Sequence, residues 1–308
     1  MKAVRIHGYG DASVLVYEDA PMPEIGPDEV LIKVAACGIN PIDWKVRKGY
    51  AKEKAPLSFP FILGWDVAGA IEVTGDLISR FRKGDKIFTR NNTARNGGYA
   101  EYVAVRASEI CFAPASISLV QSAGIPLACQ TAWAGLFEQG SLKKGQSVLI
   151  HGGSGGVGTF AIQLARLAGA HVISTTSAKN MDLVRSLGAD EVIDHTAEDF
   201  SEKLKDIDLM FDTIGGNTQK KSWGIIKKGG TLVSTVGADE KVAGEHGVQA
   251  KSFMVDSNGA RLEEIAGLVD DGRIRVIIEK EFPLAEARAA HELSEGGHAV
   301  GKIILTID

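Results

Sequence analysis

The sequence predicts an α/β protein with two domains: a barrel-like domain of short antiparallel strands, then a doubly wound parallel sheet with helices on both faces. Three observations support this prediction. Up to about residue 120, strand-like segments alternate with turn residues. From Ser118 onward, short apolar strands alternate with helical patterns. A length of 308 residues suits two domains that each bury a core of their own.

The first domain is predicted as a series of short strands. Gly84 lies in a Lys-Gly-Asp turn before one of them, and Gly97 and Gly98 precede another. This spacing favours an antiparallel barrel over a parallel sheet. The predicted strands are 2–6, 14–18, 29–36, 62–73, 86–89 and 99–105.

The second domain is predicted as a helical pattern at 118–135 followed by a series of strand-helix-strand units. Such alternation implies a parallel sheet covered by helices on both faces. The final segment, 301–307, is strand-like after the alternation has ended, so we expect it to return to the first domain. The predicted strands are 147–150, 171–175, 191–193, 209–212 and 231–235, with a sixth at 275–278, and the predicted helices include 179–187 and 261–271.

A glycine-rich loop between strand 147–150 and a helix is the strongest functional signal. Gly153, Gly155 and Gly158 fit the GxGxxG spacing. Glycines let the backbone approach a pyrophosphate, and the N-terminus of the following helix offers unpaired N–H groups to that anion. The alternative is a tight strand-to-helix turn that binds nothing. The strand before the loop and the long helix after it favour a dinucleotide site.

Composition argues against several other classes of protein. The net charge of −5 disfavours nucleic acid or an anionic membrane as a partner. No apolar stretch reaches the roughly 18 residues of a membrane-spanning helix, and the N-terminus shows no signal-peptide core. The three scattered cysteines form no CxxC pair, which fits a reducing compartment. We therefore expect a cytoplasmic protein.

Several ordered motifs carry a resemblance to a known family over nearly the whole chain. They are GINPIDWK at 38–45, PFILGWDVAG at 60–69, GGYAEY at 97–102, PLACQTAW at 126–133, the glycine loop, LGAD at 187–190 and GHAVGKIIL at 297–305. The chain resembles the medium-chain dehydrogenase/reductase superfamily. Within it, the chain is most similar to the zinc-independent, zeta-crystallin-like quinone oxidoreductases, a group that includes alkenal and enone reductases. The NPIDWK motif is most similar to that of the branch with chloroplast-envelope and mitochondrial quinone-oxidoreductase-like members.

This resemblance implies a definite domain organisation. We expect a GroES-like β-barrel catalytic domain at 1–119 and 280–308, and a Rossmann NADPH-binding domain at 120–279. The C-terminal tail is expected to close back onto the first domain. The family also implies a homodimer.

The positions of zinc ligands in related enzymes predict a site without metal. Zinc-dependent members have a Cys where this chain has Asn40, and a His-Glu pair where it has Trp65 and Asp66. Asn and Trp supply neither the thiolate nor the imidazole that zinc prefers. The segment 91–96, where a second zinc would be bound, contains no cysteine, and Cys37 is predicted to be a small core residue. Without a metal, hydride addition to a conjugated or quinoid acceptor is favoured over alcohol oxidation.

The cofactor is predicted to be NADPH. NAD-preferring sites place an acid about 20 residues beyond the glycine loop, but residues 174–179 read STTSAK and contain none. Hydroxyl groups and an ammonium suit a 2′-phosphate. The resemblance assigns the phosphate to Ser177 and Lys179, with His195 where many relatives have Tyr. The alternatives are a solvated lysine and a surface histidine. The predicted cofactor-binding residues are Thr131, Gly153, Ser154, Gly155, Gly156, Val157, Gly158, Thr176, Ser177, Lys179, His195, Val236, Gly237 and Lys302.

The catalytic candidates are Asn40, Asp43 and Lys45. By position in the NPIDW motif, Asn40 is expected to donate to the substrate carbonyl oxygen, and Asp43 to orient Lys45 or a water. The proton could come from Lys45, Tyr50 or solvent. The structural alternative is a turn at Asn40, with Asp43 capping the following helix. The predicted substrate-lining residues are Trp44, Tyr50, Trp65 and Phe253, for which plain core packing is the alternative.

These residues together predict an NADPH-dependent, metal-free oxidoreductase. It is expected to reduce a small-molecule quinone or an α,β-unsaturated carbonyl such as an enone or alkenal, with neither nucleic acid nor membrane as a partner. Two alternatives stay open at this point. One is a non-catalytic NADPH-binding structural or sensor protein, and the other is a zinc alcohol dehydrogenase.

Overall fold

A computed structural model, which describes residues 1–307, has an α/β fold made of two compact units. The first unit comprises Met1–Leu127, Asp256–Gly272 and the chain from Val276 onward. The second comprises Ala128–Val255 with Arg273–Arg275. No helix within residues 1–307 is both long enough and apolar enough to cross a membrane.

The strands occur in three groups along the chain. The first group is β1 (Lys2–Ile6), β2 (Val16–Asp19), β3 (Glu29–Ile39), β4 (Phe61–Ile62), β5 (Asp66–Thr74), β6 (Lys86–Arg90), β7 (Tyr102–Arg106) and β8 (Ile110–Phe112). The second group is β9 (Ser147–His151), β10 (His171–Thr176), β11 (Glu191–Asp194), β12 (Ile207–Asp212), β13 (Ile226–Ser234) and β14 (Gln249–Ser252). The last group is β15 (Ile278–Pro283) and β16 (Lys302–Thr306).

Helices of four to twelve residues occur in both units. They are α1 (Pro41–Arg47), α2 (Leu119–Ser122), α3 (Pro126–Trp133), α4 (Gly156–Leu167), α5 (Met181–Ser186), α6 (Phe200–Lys203), α7 (Gly216–Ser222), α8 (Glu240–Glu245), α9 (Gly259–Asp270) and α10 (Ala287–Glu295). The helical pattern predicted at 118–135 is thus divided, because Pro126 begins a new helix. Helix α3 then continues as a π-helical turn at Ala134–Gln139.

The first unit is built mainly on antiparallel pairing, as predicted, although β15 and β16 pair in parallel. Its larger sheet has the order β15-β16-β3-β5-β6-β8, with β7 also paired to β3, and a smaller sheet has the order β2-β1-β4. The long strand β3 is buried along most of its length and pairs with β5, β7 and β16. Strand β16 runs antiparallel to β3, with Ile304 opposite Gly38. The prediction that the C-terminal tail returns to the first domain is therefore confirmed.

The second unit contains the predicted doubly wound sheet. Six parallel strands have the order β11-β10-β9-β12-β13-β14. From β9 the chain adds β10 and β11 on one side of the sheet, and it then adds β12, β13 and β14 on the other side. Ligands of such sheets bind at the carboxyl ends of the strands near this switch point, between β9 and β12. Strand β9 and helix α4 flank the glycine loop, so the loop lies at that edge.

The predicted sixth strand at 275–278 is wrong. The sixth strand of the parallel sheet is β14, which pairs with β13. Strand β14 reads QAKS and lies at the sheet edge with partly exposed side chains, so it lacks the apolar pattern of a buried strand. The segment 275–278 instead leads into β15, which pairs with β16 in the first unit.

Helix α9 groups by contacts with the first unit. It packs against β8, and the backbone N–H of Ser116 donates to Asp270 Oδ1 across 2.8 Å. The sequence-based limits of the second domain, 120–279, instead assign this helix to the second domain. Those domain limits stay a prediction, and the contact grouping differs from them in this helix.

Candidate active site

The glycine loop of the second unit is shaped for close approach. A Cβ atom on Gly153 would lie 2.0 Å from Ser174 Oγ, and one on Gly158 would lie 2.2 Å from the Gly152 carbonyl oxygen. A larger residue would require a backbone shift at Gly158 and movement of the Ser174 side chain at Gly153. Gly155 is the N-cap of α4 and has no side chain to occupy the first N–H groups of the helix. Helix α4 is twelve residues long, and the unpaired N–H groups at its N-terminus are suited to binding a pyrophosphate.

A group of hydroxyl side chains lies at the carboxyl end of β10. Ser154 Oγ accepts hydrogen bonds from Thr176 Oγ1 (3.0 Å) and from Asn180 Nδ2 (3.2 Å). Asn180 Nδ2 also lies 3.2 Å from Ser177 Oγ. The structure therefore brings together the three predicted hydroxyl residues through a fourth residue, Asn180, which the sequence analysis missed. Its position directly after Lys179 in the STTSAKN segment was the available signal.

Lys179 and His195 are both exposed near this group. Lys179 lies in the turn Ala178–Asn180 that follows β10. His195 follows the adjacent parallel strand β11, and its backbone N–H donates to the Thr176 carbonyl (3.0 Å). Because the two strands are parallel neighbours, both basic candidates follow the carboxyl ends of their strands, where the hydroxyl side chains also lie.

The remaining cofactor candidates of the second unit lie on other segments. Val236 and Gly237 line an open groove of about 740 Å³ together with Gln219. Thr131 is buried in α3, and its neighbour Gln130 is fully buried with both amide atoms lacking a hydrogen-bond partner. An unpaired buried amide is uncommon and fits a position beside a bound ligand. Gln130 was missed because an isolated Gln in a helical pattern carries no signal.

In the first unit, Asn40 bridges two charged side chains. Its Nδ2 donates to Asp66 Oδ2 (2.8 Å), while its Oδ1 accepts from Lys302 Nζ. The ammonium of Lys302 also donates to the Ile39 carbonyl (3.2 Å) and lies 3.5 Å from Asp66 Oδ2. All three side chains are buried. They meet because β3 ends at Ile39, while its neighbours β5 and β16 begin at Asp66 and Lys302.

This cluster fixes a positive charge beside Asn40. Burial raises the pKa of Asp66 above its usual value, and Lys302 and the Asn40 hydrogen bond act against that rise. The other oxygen of Asp66 accepts from the Leu127 backbone N–H (2.8 Å). Lys302, predicted to bind the cofactor, therefore has its ammonium among the catalytic candidates of the first unit.

Asp43 lies in the first turn of α1. Its Oδ2 accepts from the Asn40 backbone N–H (2.8 Å) and from the Tyr99 hydroxyl (2.8 Å), whereas Oδ1 has no partner. Burial raises the pKa of Asp43 to about 7, and nearby Asp66 adds to the rise. These contacts match the helix-capping alternative. Asp43 makes no hydrogen bond to Lys45, whose ammonium lies 5.5 Å from the Trp44 ring centroid.

A hydrogen-bond chain extends from Asp43 to helix α10. His291 Nε2 lies 3.0 Å from the Tyr99 hydroxyl, and His291 Nδ1 lies 3.1 Å from Arg47 Nη1. An arginine can only donate, so Nδ1 accepts and the ring hydrogen is on Nε2. Burial, followed by the charge of Arg47, lowers the pKa of His291 to about 3. The imidazole is therefore neutral, and every bond of the chain donates toward Asp43.

The aromatic candidates differ in their surroundings. Trp65 is buried in the hydrophobic core of the first unit, and its Nε1 donates to the Arg95 carbonyl (3.1 Å), which matches the core alternative. Trp44 packs edge-to-face on the exposed Tyr50 with 6.0 Å between ring centroids. Phe253 follows β14 in the second unit and is half-buried.

Metal ligands are scarce in this region. Among residues 1–307, no group of three or more His, Cys, Asp or Glu side chains is placed to hold a metal ion. At the end of β3, the cation beside Asp66 and Asn40 is the ammonium of Lys302.

Comparison with known proteins identifies the family. The model of the alcohol dehydrogenase GroES-like domain matches residues 26–115, and the model of the zinc-binding dehydrogenase domain matches residues 187–305. The mitochondrial NAD(P)H oxidoreductase RTN4IP1 of Danio rerio is 36% identical over 353 aligned positions, which cover 100% of this chain and 91% of the relative. The chain belongs to the medium-chain dehydrogenase/reductase superfamily.

Further members of this superfamily agree with the predicted group. The chloroplastic NADPH-dependent alkenal/one oxidoreductase of Arabidopsis thaliana is 35% identical, covering 99% of this chain and 79% of its own length. The solved quinone oxidoreductase of Coxiella burnetii is 34% identical and superposes with a TM-score of 0.95, covering 100% of this chain and 99% of that one. The resemblance and the GroES-like plus Rossmann fold class predicted from the sequence are confirmed.

Proposed function

We propose that this medium-chain dehydrogenase/reductase is an NADPH-dependent, metal-free reductase of quinones or α,β-unsaturated carbonyls. Relatives at 33–36% identity include proteins named quinone oxidoreductase, alkenal/one oxidoreductase and 2-methylene-furan-3-one reductase. The observation that supports metal-free chemistry most directly is the buried ammonium of Lys302 between Asn40 and Asp66. A fixed ammonium and a zinc ion would repel each other at this position.

The second unit supplies a cradle that fits the pyrophosphate and the 2′-phosphate of the cofactor. The glycine loop from Gly153 to Gly158 offers backbone N–H groups at the start of α4. Ser177 and Lys179 are the proposed ligands of the 2′-phosphate, and Asn180 holds the hydroxyl of Ser154 next to them. When bound, NADPH supplies the hydride. The absence of an acidic side chain at 174–179 favours NADPH over NADH, because an acid there would repel the phosphate.

The first unit supplies groups that stabilise negative charge on a substrate oxygen. Asn40 Nδ2 uses one of its two hydrogens on Asp66, which leaves the second available to a carbonyl oxygen. The adjacent ammonium of Lys302 strengthens this site electrostatically. Asp43 acts as a positioning residue through the Asn40 backbone. For the proton we propose Lys45, which is half-buried in the same helix, or solvent.

A panel of acceptors tests this proposal. We expect loss of NADPH absorbance with 9,10-phenanthrenequinone, 1,4-benzoquinone or an alkenal, slower loss with NADH, and no effect of a chelator. Metal analysis of the purified protein should find less than one equivalent of zinc. Tight NADPH binding without reduction of any acceptor would favour the non-catalytic alternative, and chelator-sensitive alcohol oxidation would favour the zinc alcohol dehydrogenase. A homodimer and a cytoplasmic location stay predictions, checked by sedimentation and by fractionation.

A further inference from the structure

Buried polar atoms without a partner concentrate at one end of the larger sheet of the first unit. Within the described chain, such side-chain atoms in this unit are Asp43 Oδ1, Trp44 Nε1, Arg90 Nε and Asn91 Oδ1. Unpaired buried polar groups are uncommon in native proteins, and each points to a missing ligand or water. Asp43 and Trp44 belong to the NPIDW motif already discussed. Arg90 and Asn91 have no role in the function proposed above.

Strand pairing brings these two residues to the same sheet end as Asn40. Arg90 is the last residue of β6 and lies opposite Asp66, the first residue of β5. The backbone N–H of Asn91 donates to the Trp65 carbonyl (2.9 Å). Asp66 in turn accepts from Asn40. Because neighbouring strands are about 4.8 Å apart, the backbone at Arg90 lies roughly 10 Å from that at Gly38, two residues before Asn40.

The guanidinium of Arg90 has one hydrogen-bond partner in the protein and one buried N–H without an acceptor. Its Nη1 donates to Ser257 Oγ (3.0 Å), but its Nε–H is buried and donates to nothing. Burial lowers the pKa of Arg90, while the negative charges of Asp66, Asp256 and Glu109 act in the opposite direction. A buried guanidinium whose Nε–H has no acceptor is suited to binding an oxygen atom of a ligand.

We propose that Arg90 is a substrate-binding residue that makes this site selective for acceptors with two conjugated oxygen atoms, such as quinones, over one-oxygen alkenals and enones. This inference rests on the proposed reductase function. One oxygen is bound at Asn40 and Lys302, on one flank of Asp66. The second oxygen accepts from Arg90 Nε–H on the other flank. A one-oxygen acceptor leaves that N–H unsatisfied and gains nothing from it.

Substitution of Arg90 should separate the two classes of acceptor. In Arg90→Met we expect kcat/KM for 1,4-benzoquinone, whose two oxygens lie at opposite ends of the ring, to fall about 10- to 100-fold, the range for a hydrogen bond to a charged group. For 2-cyclohexen-1-one we expect a change of less than about 3-fold. Arg82→Met, the same substitution at an exposed arginine of the same unit, is the matched control and should change neither value. Arg90→Lys retains the charge and should recover part of the quinone activity.

A binding measurement makes the inference independent of turnover. Quenching of tryptophan fluorescence by 1,4-benzoquinone in the presence of NADP⁺ reports binding without reduction. Weaker quinone binding in Arg90→Met than in Arg82→Met, at equal unfolding midpoints, would support the inference even if no acceptor were reduced and the proposed function failed. Equal losses for quinone and enone in Arg90→Met, no loss for either, or no quinone binding to the wild-type protein would overturn it. If Arg90→Met does not fold, the same comparison is made with Arg90→Lys.

Discussion

The Tyr99 hydroxyl donates to Asp43 Oδ2 across 2.8 Å, and the same oxygen accepts the backbone N–H of Asn40. Tyr99 accepts from His291, which accepts from Arg47. The chain does not conduct protons toward Asp43, because that would require the arginine to give up a proton at its far end. Its effect is to fix the carboxyl group that holds the first turn of α1, and with it the side chain of Asn40.

Stability should depend on pH through Asp43. Burial raises the pKa of this carboxyl from 3.8 to about 7, so the folded protein binds the proton more tightly than the unfolded chain. Asp43 therefore lowers the free energy of unfolding as the pH rises from about 4 through 7, by on the order of 4 kcal/mol at full ionisation. Asp43→Asn removes this dependence. Relative to wild type, we expect the variant to become more stable between pH 5 and pH 8, measured by urea unfolding.

The comparison at each pH cancels the other titrating groups. His291, with a pKa lowered to about 3, acts in the opposite direction, since its contribution is lost as the pH falls below 6.5. It is present in both proteins. Parallel stability curves for wild type and Asp43→Asn from pH 5 to pH 8 would contradict a raised pKa of Asp43 in the folded protein.

Tyr99 and Asp43 should be energetically coupled. In a double-mutant cycle with Tyr99→Phe and Asp43→Ala at pH 5, we expect a coupling energy of about 1–3 kcal/mol, because either single change leaves a buried polar group unpaired. Tyr17 is exposed on β2, so Tyr17→Phe combined with Asp43→Ala is the matched control and should be additive. Additivity of the Tyr99 pair would mean that the hydrogen bond contributes nothing to the position of Asp43.

Local patterns were enough to predict the two-part α/β fold and the place of the glycine loop in it. The glycine loop lies between a strand and a helix as predicted, because the strand's apolar run and the helical spacing are both encoded within 25 residues. Ser154, Thr176 and Ser177 were also predicted, and the structure brings them together through Asn180. Asn180 itself was missed because a single Asn in a turn has many uses.

Long-range contacts could not be predicted in the same way. Nothing near Lys302 in the sequence indicates that its ammonium lies beside Asn40, 262 positions earlier. Arg90 and Asn91 follow a short strand and carry no local motif. Their relation to Asn40 depends on the pairing of β3, β5 and β6, which only the folded sheet defines.

The glycine loop should tolerate no methyl group at Gly153. A Cβ atom there would lie 2.0 Å from Ser174 Oγ and 3.1 Å from Ile162 Cδ1, so Gly153→Ala must displace the Ser174 hydroxyl from its hydrogen bond to the Ile150 carbonyl. We expect a loss of about 1–3 kcal/mol in stability and at least tenfold weaker NADPH binding. Gly244→Ala is the control within the same unit, since α8 has open space around that position. Unchanged NADPH affinity in Gly153→Ala would remove the loop from the proposed site.

Discrimination between the two nicotinamide cofactors should depend on Lys179. Lys179 is exposed in the turn that directly follows Ser177, and an ammonium there can neutralise a 2′-phosphate but has nothing to bind on a 2′-hydroxyl. In Lys179→Ala we expect NADPH to bind about tenfold more weakly, with the affinity for NADH changed less than about twofold. Lys205→Ala is the matched control. Lys205 is exposed just before β12, at the amino ends of the parallel strands, whereas Lys179 follows the carboxyl end of β10. The loss for NADPH should also shrink at high salt, since exposed charges are screened. Equal losses for both cofactors in Lys179→Ala would mean that Lys179 does not bind the 2′-phosphate. The same titrations with His195→Ala would then test whether His195, the other basic candidate, binds it.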